Sequence, residues 1–406
     1  MRLPDRLWVP AAMAGLLALV FVGALLVRAD GDVSLLVHAG PPWTSAEGAR
    51  DSLTVQEADD AFDGQFFYRL GTAPWSTAPV EHGVTFDLPS LRNARWGYGA
   101  LAFVASGGDP DRVPEALVAL NVLAAVAVGA AGGGLARASG RHAAWGALFV
   151  LWPGFAYSLS LDTSELVASA FVLGGLLALR HRRWGPAAAL LVAAVLTRDT
   201  TAVVPFGVAA AGAWSWWTGG RTSEPNPVTG DAADAGRRVH AGAPLAWLVV
   251  GGVPLAAFGA WQLLQRSRFG ALPLTSSGDN NLAAPLGGLA DQLGSLLPPG
   301  GGDEAFRLLS ILGLAALLGT AGWCWRRSAA ALPEKVAWLP AVAVVVLLNA
   351  YLWSGATAFM RAATEAGLLS IVVILGSRRA RLLPLAGLGL GGLWLLTAVA
   401  QLSKLG

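Results

Sequence analysis

Charged side chains are scarce in this sequence. Only 13% of its 406 residues are Asp, Glu, Lys or Arg, whereas 54% are hydrophobic. Soluble globular domains usually carry about 25% charged residues, so this composition argues against a water-soluble fold. Cys324 is the single cysteine, which excludes an intrachain disulfide. The chain also lacks GxxxxGK[ST] and HExxH, so a P-loop nucleotidase and a zinc protease of that type are excluded.

Long apolar runs make up much of the chain, and a helix that spans a bilayer needs about 20 such residues. The sequence predicts about eleven spans, at residues 8–27, 113–136, 143–158, 164–180, 186–196, 201–217, 244–265, 305–325, 336–353, 365–376 and 382–402. We therefore expect an all-α fold, a single polytopic transmembrane helical bundle over residues 1–406. The first run could instead be a signal peptide. Its apolar stretch is long and no Ala-x-Ala site follows it, which favours an uncleaved anchor.

Basic residues are distributed unevenly among the loops. The loops on the side of the N-terminus carry 16 of the 28 basic residues but only five of the 26 acidic ones. The positive-inside rule then predicts a multi-pass protein of the cell membrane with a cytoplasmic N-terminus. Residues 28–112 form a long first external loop, in which residues 96–106 are expected to lie as an interfacial helix. Residues 266–303 form a second external loop, and residues 219–242 a disordered cytoplasmic connector.

Four groups of polar residues fall on the predicted external side. The first lies in the first external loop and consists of Asp59, Asp60, Asp63, Gln65, Tyr68 and Arg69, interleaved with phenylalanines. A carboxylate held near an apolar wall gains basicity and can accept a proton, and aromatic rings can also stack on a sugar. The alternative interpretation is an amphipathic interfacial helix with a solvated charged face.

The second group is Asp162 and Glu165, at the external start of a span. The two acids are three positions apart, so on a helix they would share one face. The simplest role of Asp162 is an N-cap for the following helix, with Glu165 as the acid of a capping box. A contact with substrate is the alternative.

The third group, Arg198 and Asp199, interrupts two apolar runs. Arg198 could bind a phosphate through two hydrogen bonds, or both residues could face water in an external turn. The fourth group is Arg361 and Glu365, whose spacing of four fits either a local ion pair or a second anion contact. The predicted topology favours the functional interpretations, because it sends all four groups to the same face of the membrane.

Three short motifs carry a family resemblance. The stretch Phe62-Asp63-Gly64-Gln65-Phe66-Phe67-Tyr68-Arg69 resembles the WDG-aromatic loop of the GT-C superfamily of polytopic glycosyltransferases, in the bacterial mannosyltransferase-like branch related to GPI mannosyltransferases. Arg95-Trp96-Gly97-Tyr98 and Leu196-Thr197-Arg198-Asp199-Thr200 are similar to later motifs of actinobacterial members. Here glycine replaces the expected proline after Tyr98, and Asp199 replaces a glutamate. The resemblance implies a GT-C-like fold.

The resemblance also implies a reaction. In that superfamily a polyprenyl-phosphate-linked sugar is the donor, a carboxylate of the first external loop deprotonates the acceptor hydroxyl, and the lipid phosphate leaves. Asp63 matches the motif aspartate, with Asp60 as the alternative, and Arg198 and Arg361 are the expected phosphate contacts. The remaining predicted substrate-binding residues are Gln65, Tyr68, Arg69, Arg95, Asp162, Glu165, Asp199 and Glu365.

The predicted function is therefore transfer of a sugar to an extracytoplasmic glycan, lipid or protein, in the synthesis of cell-envelope glycans or glycolipids. Membrane lipids are expected partners and nucleic acid is not. No cofactor is certain, and a divalent cation stays open. Two alternatives also stay open: a flippase or transporter of lipid-linked sugars, and a non-catalytic protein of envelope assembly. Transporters usually carry polar residues at mid-membrane, where this sequence has few, which favours chemistry at the external surface.

Overall fold

A computed structural model describes residues 4–57, 61–219, 243–276, 281–379 and 381–404. The described chain is mostly helical and contains almost no strand, which confirms the all-α prediction. Its α-helices are α1 Trp8–Arg28, α2 Gly64–Thr72, α3 Pro89–Ala94, α4 Trp96–Ala105, α5 Val113–Ala138, α6 Ala147–Val150, α7 Gly154–Ser160, α8 Glu165–Arg180, α9 Trp184–Thr197, α10 Val203–Trp217, α11 Ala243–Phe269, α12 Gly287–Leu296, α13 Gly302–Cys324, α14 Leu332–Val346, α15 Ala350–Trp353, α16 Ala356–Ala362, α17 Thr364–Leu375 and α18 Leu382–Leu402. Short 3-10 helices cover Val33–Val37, Pro110–Arg112, Ala143–Gly146, Asp199–Ala202, Pro273–Thr275 and Trp325–Arg327.

Within the described ranges, five helical segments are long and apolar enough to cross a membrane. They are Trp8–Arg28, Pro110–Ala138, Ala243–Phe269, Gly302–Arg327 and Leu382–Leu402. Helices α16 and α17 are bent by 57° at their junction and add a sixth if they form one broken span. Apolar helices of this length match the thickness of the hydrocarbon core, so the chain is a multi-pass membrane protein.

The other predicted spans coincide with shorter helices. Helices α8, α9 and α10 contain 16, 14 and 15 residues. The predicted spans 143–158 and 336–353 are each divided. Pro153 stands at the start of α7, and the Asn349 side chain accepts a hydrogen bond from Leu352 N to begin α15. Helices of fewer than about 17 residues are short for a full crossing, so the count of eleven spans stays a prediction.

Helix α5 lies at the centre of one part of the bundle and packs against α1 and α8. Helix α8 packs against α9. Helices α9 and α10 both pack against α11. The residues at the two ends of α5 favour helix termini there. Pro114 and Glu115 lie in its first turn and Arg137 lies in its last. Proline without an N–H, an acid near the N-terminus and a cation near the C-terminus all agree with helix capping and the helix dipole.

The described part of the predicted first external loop contains three helices and one hairpin. It contains α2, α3, α4 and the antiparallel strands β1 Val80–Glu81 and β2 Val84–Thr85. Helix α4 occupies the apolar stretch predicted to be helical. Gly97 lets it approach the end of α9 closely, because a Cβ there would lie 3.0 Å from the Cα of Thr197. The first external loop is thereby packed against the residue that precedes Arg198.

The predicted connectors are only partly described. Residues 220–242 of the predicted cytoplasmic connector lie outside the described residues. In the predicted second external loop, α11 continues to Phe269 and α12 covers Gly287–Leu296, while residues 277–280 lie outside the described residues. The boundaries of these loops stay predictions.

Candidate functional site

Charged side chains from the ends of several helices meet in one place. Asp63 directly precedes α2, Glu165 begins α8 and Arg198 directly follows α9. Arg361 and Glu365 stand on either side of the bend between α16 and α17. We define the arginine–carboxylate network as Asp63, Asp87, Arg92, Glu165, Arg198, Arg361 and Glu365, which are joined by ion pairs.

Gly64 brings Asp63 to this position. Its Cα faces the backbone of the turn that leads into α8, and a Cβ there would lie 2.7 Å from the carbonyl oxygen of Leu161. Any larger residue would push the start of α2 away from that turn. The glycine of the Asp-Gly pair therefore allows Asp63 to approach the elements that carry Glu165 and Arg361.

Asp63 bridges two guanidinium groups. Arg92 Nη1 donates to its Oδ1 at 2.8 Å, and Arg361 Nη2 donates to its Oδ2 at 2.9 Å. Arg92 also donates from Nε and Nη2 to Asp87, each at 2.7 Å. The Asp63 side chain keeps 21% of its surface exposed, so the network reaches solvent at this residue.

The phenylalanines beside Asp63 pack on the arginines. The Arg92 guanidinium carbon lies 4.0 Å from the ring centre of Phe66, and that of Arg361 lies 4.9 Å from the ring centre of Phe62. These are cation–π contacts, which fix the planes of the two guanidinium groups. Burial opposes the charge on Asp63, but Arg92 and Arg361 outweigh burial and hold the pKa of its carboxyl well below the ordinary value. The expectation of raised basicity is wrong for this arrangement.

Arg361 connects Asp63 to Glu165. Its Nε donates to Glu165 Oε1 at 2.7 Å, and Arg198 Nη1 donates to the same oxygen. Ser158 Oγ donates to Oε2 at 3.1 Å, so the fully buried Glu165 receives hydrogen bonds at both oxygens. Arg198 Nη2 donates in addition to the backbone carbonyl of Arg361 at 2.8 Å. Glu165 thus organises both arginines that the sequence assigned to phosphate.

Glu365 and Asp199 complete the surroundings of Arg198. Glu365 Oε1 lies 3.5 Å from Arg198 Nε and accepts a hydrogen bond from Thr200 Oγ1 at 3.0 Å. Thr200 Oγ1 also accepts a hydrogen bond from Arg198 Nε at 2.7 Å. Asp199 pairs with Arg95, Nε to Oδ1 at 3.2 Å, which ties the start of α4 to the end of α9. Arg361 and Glu365 therefore do not form the predicted local pair, since each meets other partners.

The network holds no surplus of positive charge. It contains four carboxyl groups and three guanidinium groups, and the neighbouring pair of Arg95 with Asp199 is neutral. An anionic ligand is therefore not attracted by net charge alone. It must exchange with a carboxylate or arrive with a proton.

Asp162 is buried apart from the ion pairs. Its side chain is fully enclosed, its φ is 43°, and neither carboxyl oxygen has a hydrogen-bond partner among the described residues. Burial raises the pKa of Asp162 well above the ordinary value. Asn121 lies beside Asp162 and moderates that rise in pKa. The Asn121 amide nitrogen donates hydrogen bonds to Tyr98 Oη and Ser158 O. Asp162 does not cap α8, whose N-cap is Ser164 without a side-chain hydrogen bond.

Gln65, Tyr68 and Arg69 do not join the network. Gln65 Oε1 accepts hydrogen bonds from Thr44 Oγ1 at 2.7 Å and Gly40 N at 3.3 Å. Arg69 donates to the carbonyls of residues 78, 79 and 84, and the Tyr68 side chain is fully buried. Gln65 and Arg69 thus connect α2 to other segments of the predicted first external loop, and Tyr68 packs in the core.

The sequence argument missed three residues of the site: Asp87, Arg92 and Thr200. A signal existed for Arg92, because it stands three residues before Arg95 in the first external loop, one helical turn away. Asp87 gave no signal of its own. Asp60, the alternative base, lies outside the described residues together with Asp59.

Among the residues that the structure describes, no group of three or more His, Cys, Asp or Glu side chains could hold a metal ion. Asp63 and Glu165 direct carboxylate oxygens at guanidinium groups. The described side chains therefore do not fit a divalent cation in this arrangement, and a metal requirement stays a matter for experiment.

No family model matches this sequence, and no curated protein matches it. Among solved structures, the chain is similar to the crystal structure of the Archaeoglobus fulgidus oligosaccharyltransferase in the apo form, with a TM-score of 0.43, 13% identity and coverage of 95% of this chain and 56% of that chain. A second structure of that protein, tethered through a disulfide bond to an acceptor peptide containing the NVT sequon, gives a TM-score of 0.41 at 13% identity and covers 95% and 55%. The chain thus spans about half the length of these structures. At these values the similarity assigns neither an activity nor a substrate to this chain.

Proposed function

We propose that this chain is a GT-C-type membrane glycosyltransferase that transfers a sugar from a polyprenyl-phosphate donor to an acceptor outside the cytoplasm. The observation that carries the proposal is the 2.9 Å contact between Asp63 and Arg361 in a network that also holds Arg92 and Arg198. Sugar transfer from a lipid phosphate needs a group that takes a proton and groups that bind a phosphate. Both kinds of group meet here.

The reaction assigns a role to each kind of group. The acceptor oxygen forms a bond to the anomeric carbon of the sugar, and the bond from that carbon to the phosphate oxygen breaks. Asp63 takes the proton of the acceptor hydroxyl, and Arg92 or Arg361 stabilises the charge that grows on the leaving phosphate. Glu165 is a positioning residue, because it holds Arg361 and Arg198 in place.

The proposed cellular role is the synthesis of cell-envelope glycans or glycolipids, with a glycan, lipid or protein as acceptor. The orientation, with the network outside, rests on the arginine distribution and the positive-inside rule. A flippase for lipid-linked sugars would use similar phosphate contacts but would leave the bond between sugar and phosphate intact. Bond cleavage is therefore the observation that separates the two functions.

The test offers purified protein polyprenyl-phosphate mannose, glucose or arabinose in separate reactions with mixed acceptors. Mass spectrometry follows both donor loss and the appearance of a glycosylated acceptor. We expect turnover of one donor by the wild type and by Asp111→Asn, a control at an exposed pair with Arg50. Parallel reactions with EDTA and with added Mg²⁺ or Mn²⁺ test the open question of a divalent cation. Intact donor in every reaction, combined with donor movement across vesicles, would favour the flippase.

A further inference from the structure

We infer that the donor phosphate and the Asp63 carboxylate compete for the guanidinium groups of Arg92 and Arg361, so that donor binding releases Asp63 to accept a proton. This inference rests on the proposed function and deepens it. The ion-paired arrangement then corresponds to the resting state, in which the proposed base is masked until the donor arrives.

Asp63 occupies one donor nitrogen on each of the two arginines, and other carboxylates occupy further nitrogens. Arg92 directs Nε and Nη2 at Asp87 and Nη1 at Asp63. Arg361 directs Nη2 at Asp63 and Nε at Glu165. Phosphate oxygens bind arginine through the same N–H groups that carboxylates use. A phosphate that binds both Arg92 Nη1 and Arg361 Nη2 therefore takes the place of the Asp63 carboxylate.

Asp63 is the carboxylate that yields most easily. It receives a single hydrogen bond from each arginine, on separate oxygens, and its side chain is 21% exposed. Glu165 is 0% exposed and is held by two arginines and Ser158. Asp87 is about as exposed as Asp63, but it takes two hydrogen bonds from one guanidinium and a third from Leu88 N. Two oxygens of one phosphate can replace the bridge that Asp63 makes between Arg92 and Arg361.

The exchange also balances charge through the reaction. The sugar donor is a phosphodiester with one negative charge, and the released lipid phosphate is a monoester with close to two at neutral pH. Asp63 loses its negative charge when it takes the acceptor proton. The summed charge of the phosphate and Asp63 is therefore the same before and after transfer. A network without surplus positive charge can accommodate the product only if such a compensation takes place.

The test measures binding of decaprenyl phosphate to full-length protein in nanodiscs by calorimetry. Asp63→Asn removes the competing charge and nearly preserves shape. We expect this variant to bind decaprenyl phosphate about tenfold more tightly than the wild type, the order expected for one charged hydrogen bond in competition. Asp111→Asn, at the exposed pair with Arg50, should leave the Kd unchanged. An equal or weaker affinity in Asp63→Asn would overturn the inference.

Two further ligands identify the competing group. Inorganic phosphate should show the same gain in Asp63→Asn, since the competition concerns the headgroup, and a gain confined to the lipid would overturn the inference. Decaprenol has no phosphate and should bind both proteins alike. If decaprenol gains as much as decaprenyl phosphate, the effect is not electrostatic and the inference is wrong.

A measurement on the wild type guards against misfolding of the variant. A hydrophobic carbodiimide modifies carboxyl groups, and peptide mass spectrometry can report its reaction with Asp63. We expect decaprenyl phosphate, but not decaprenol, to increase that modification, because Asp63 leaves its arginine partners. Unchanged or reduced modification counts against the inference. Decaprenyl phosphate that binds neither protein would remove the proposed function itself, whereas binding with an unchanged Kd removes only the competition.

Discussion

Helix α8 ends in a buried ion pair at both termini, and the two pairs are built differently. At the C-terminus, Arg180 meets Glu334 through two parallel hydrogen bonds of 2.6 and 2.5 Å, with side chains 9% and 0% exposed. At the N-terminus, Glu165 shares Arg361 with Asp63, which reaches solvent. The first pair matches one acid to one arginine. The second distributes a guanidinium between two acids.

This difference separates a structural pair from a candidate working site. Glu334 also accepts a hydrogen bond from Ala331 N, and Arg180 also donates to the carbonyl of Ala138, so both groups are well satisfied. A bidentate pair of this kind favours one arrangement. A guanidinium shared by two carboxylates can exchange one of them for another anion while the second still holds it. The predictions below test this distinction.

The largest expected effect is on catalysis at the N-terminal end of α8, where Glu165 and Asp63 share Arg361. Asp63→Asn removes the proposed general base, and loss of a general base usually lowers the rate by about 10²–10⁴-fold. We expect sugar transfer to fall by that order, measured by mass spectrometry with whichever of the three offered donors the wild type turns over. Folding should survive, as judged by thermal unfolding, because asparagine nearly keeps the shape and its carbonyl oxygen can still accept a hydrogen bond from one of the two arginines.

Two loop variants complete this experiment. Asp111→Asn should retain near-wild-type transfer. If Asp63→Asn is active and Asp60→Asn is inactive, the base is Asp60 and the assignment within the motif was wrong. If no acid of residues 59–63 affects transfer, the mechanism proposed for this chain is wrong.

The next effect contrasts the glutamates of the two ion pairs at the ends of α8, Glu334 and Glu165. Glu334→Gln leaves Arg180 buried without its charge partner, which usually costs about 3–5 kcal/mol of stability. We expect a clearly lowered Tm but normal transfer per folded molecule. Glu165→Gln should lower both stability and transfer, because Arg361 and Arg198 lose their common anchor. A stable and fully active Glu165→Gln would show that the two ends of α8 do not differ as proposed.

A smaller effect concerns donor binding. Arg198→Lys keeps the charge but loses the planar fork, so the free energy of donor binding should weaken by about 1–3 kcal/mol if Arg198 contacts the phosphate. Arg180→Lys is the matched control, because Arg180 pairs with Glu334 at the other end of α8, and it should leave the donor Kd unchanged. Unchanged donor affinity in both Arg198→Lys and Arg198→Ala would make Arg198 a purely structural residue of the network.

The last prediction tests the orientation of the two ends. In a Cys324→Ala background, we place single cysteines at Asp51 and Arg182, both of which are exposed. A membrane-impermeant maleimide added to intact cells should label Asp51→Cys, and Arg182→Cys only after permeabilisation. The reverse pattern would place the arginine–carboxylate network in the cytoplasm and exclude an extracytoplasmic acceptor.

The sequence was most informative where long apolar runs stand alone. The predicted spans 8–27, 113–136 and 382–402 agree with Trp8–Arg28, Val113–Ala138 and Leu382–Leu402 to within two residues. Hydropathy was less informative where a single residue redirects the chain, as Pro153 and Asn349 do within predicted spans. Composition does not reveal such breaks, because one capping side chain or missing N–H changes the helix without changing the mean hydropathy.

Residue types predicted many of the side chains in the site, but the direction in which neighbouring side chains point was harder to predict. Glu165, Arg198, Arg361 and Glu365 were chosen as ionisable residues among apolar runs, and the structure brings them together with Asp63. Their roles stay predictions. The motif residues after Asp63 were assigned to the site because they are adjacent in sequence. On a helix, however, positions 65, 68 and 69 share one face, and that face turns toward the loop instead of the network.

The contact at Gly64 has a consequence for how the protein can vary. The offset between Asp63 and the start of α8 is set where Cα meets a carbonyl oxygen, main chain against main chain. Side chains elsewhere in the bundle can change rotamer or be exchanged for others of similar volume without altering that offset. Residues on the lipid-facing and interior surfaces can therefore change without altering that offset. The spacing between the carboxylates of Asp63 and Glu165, in contrast, tolerates no methyl group at position 64.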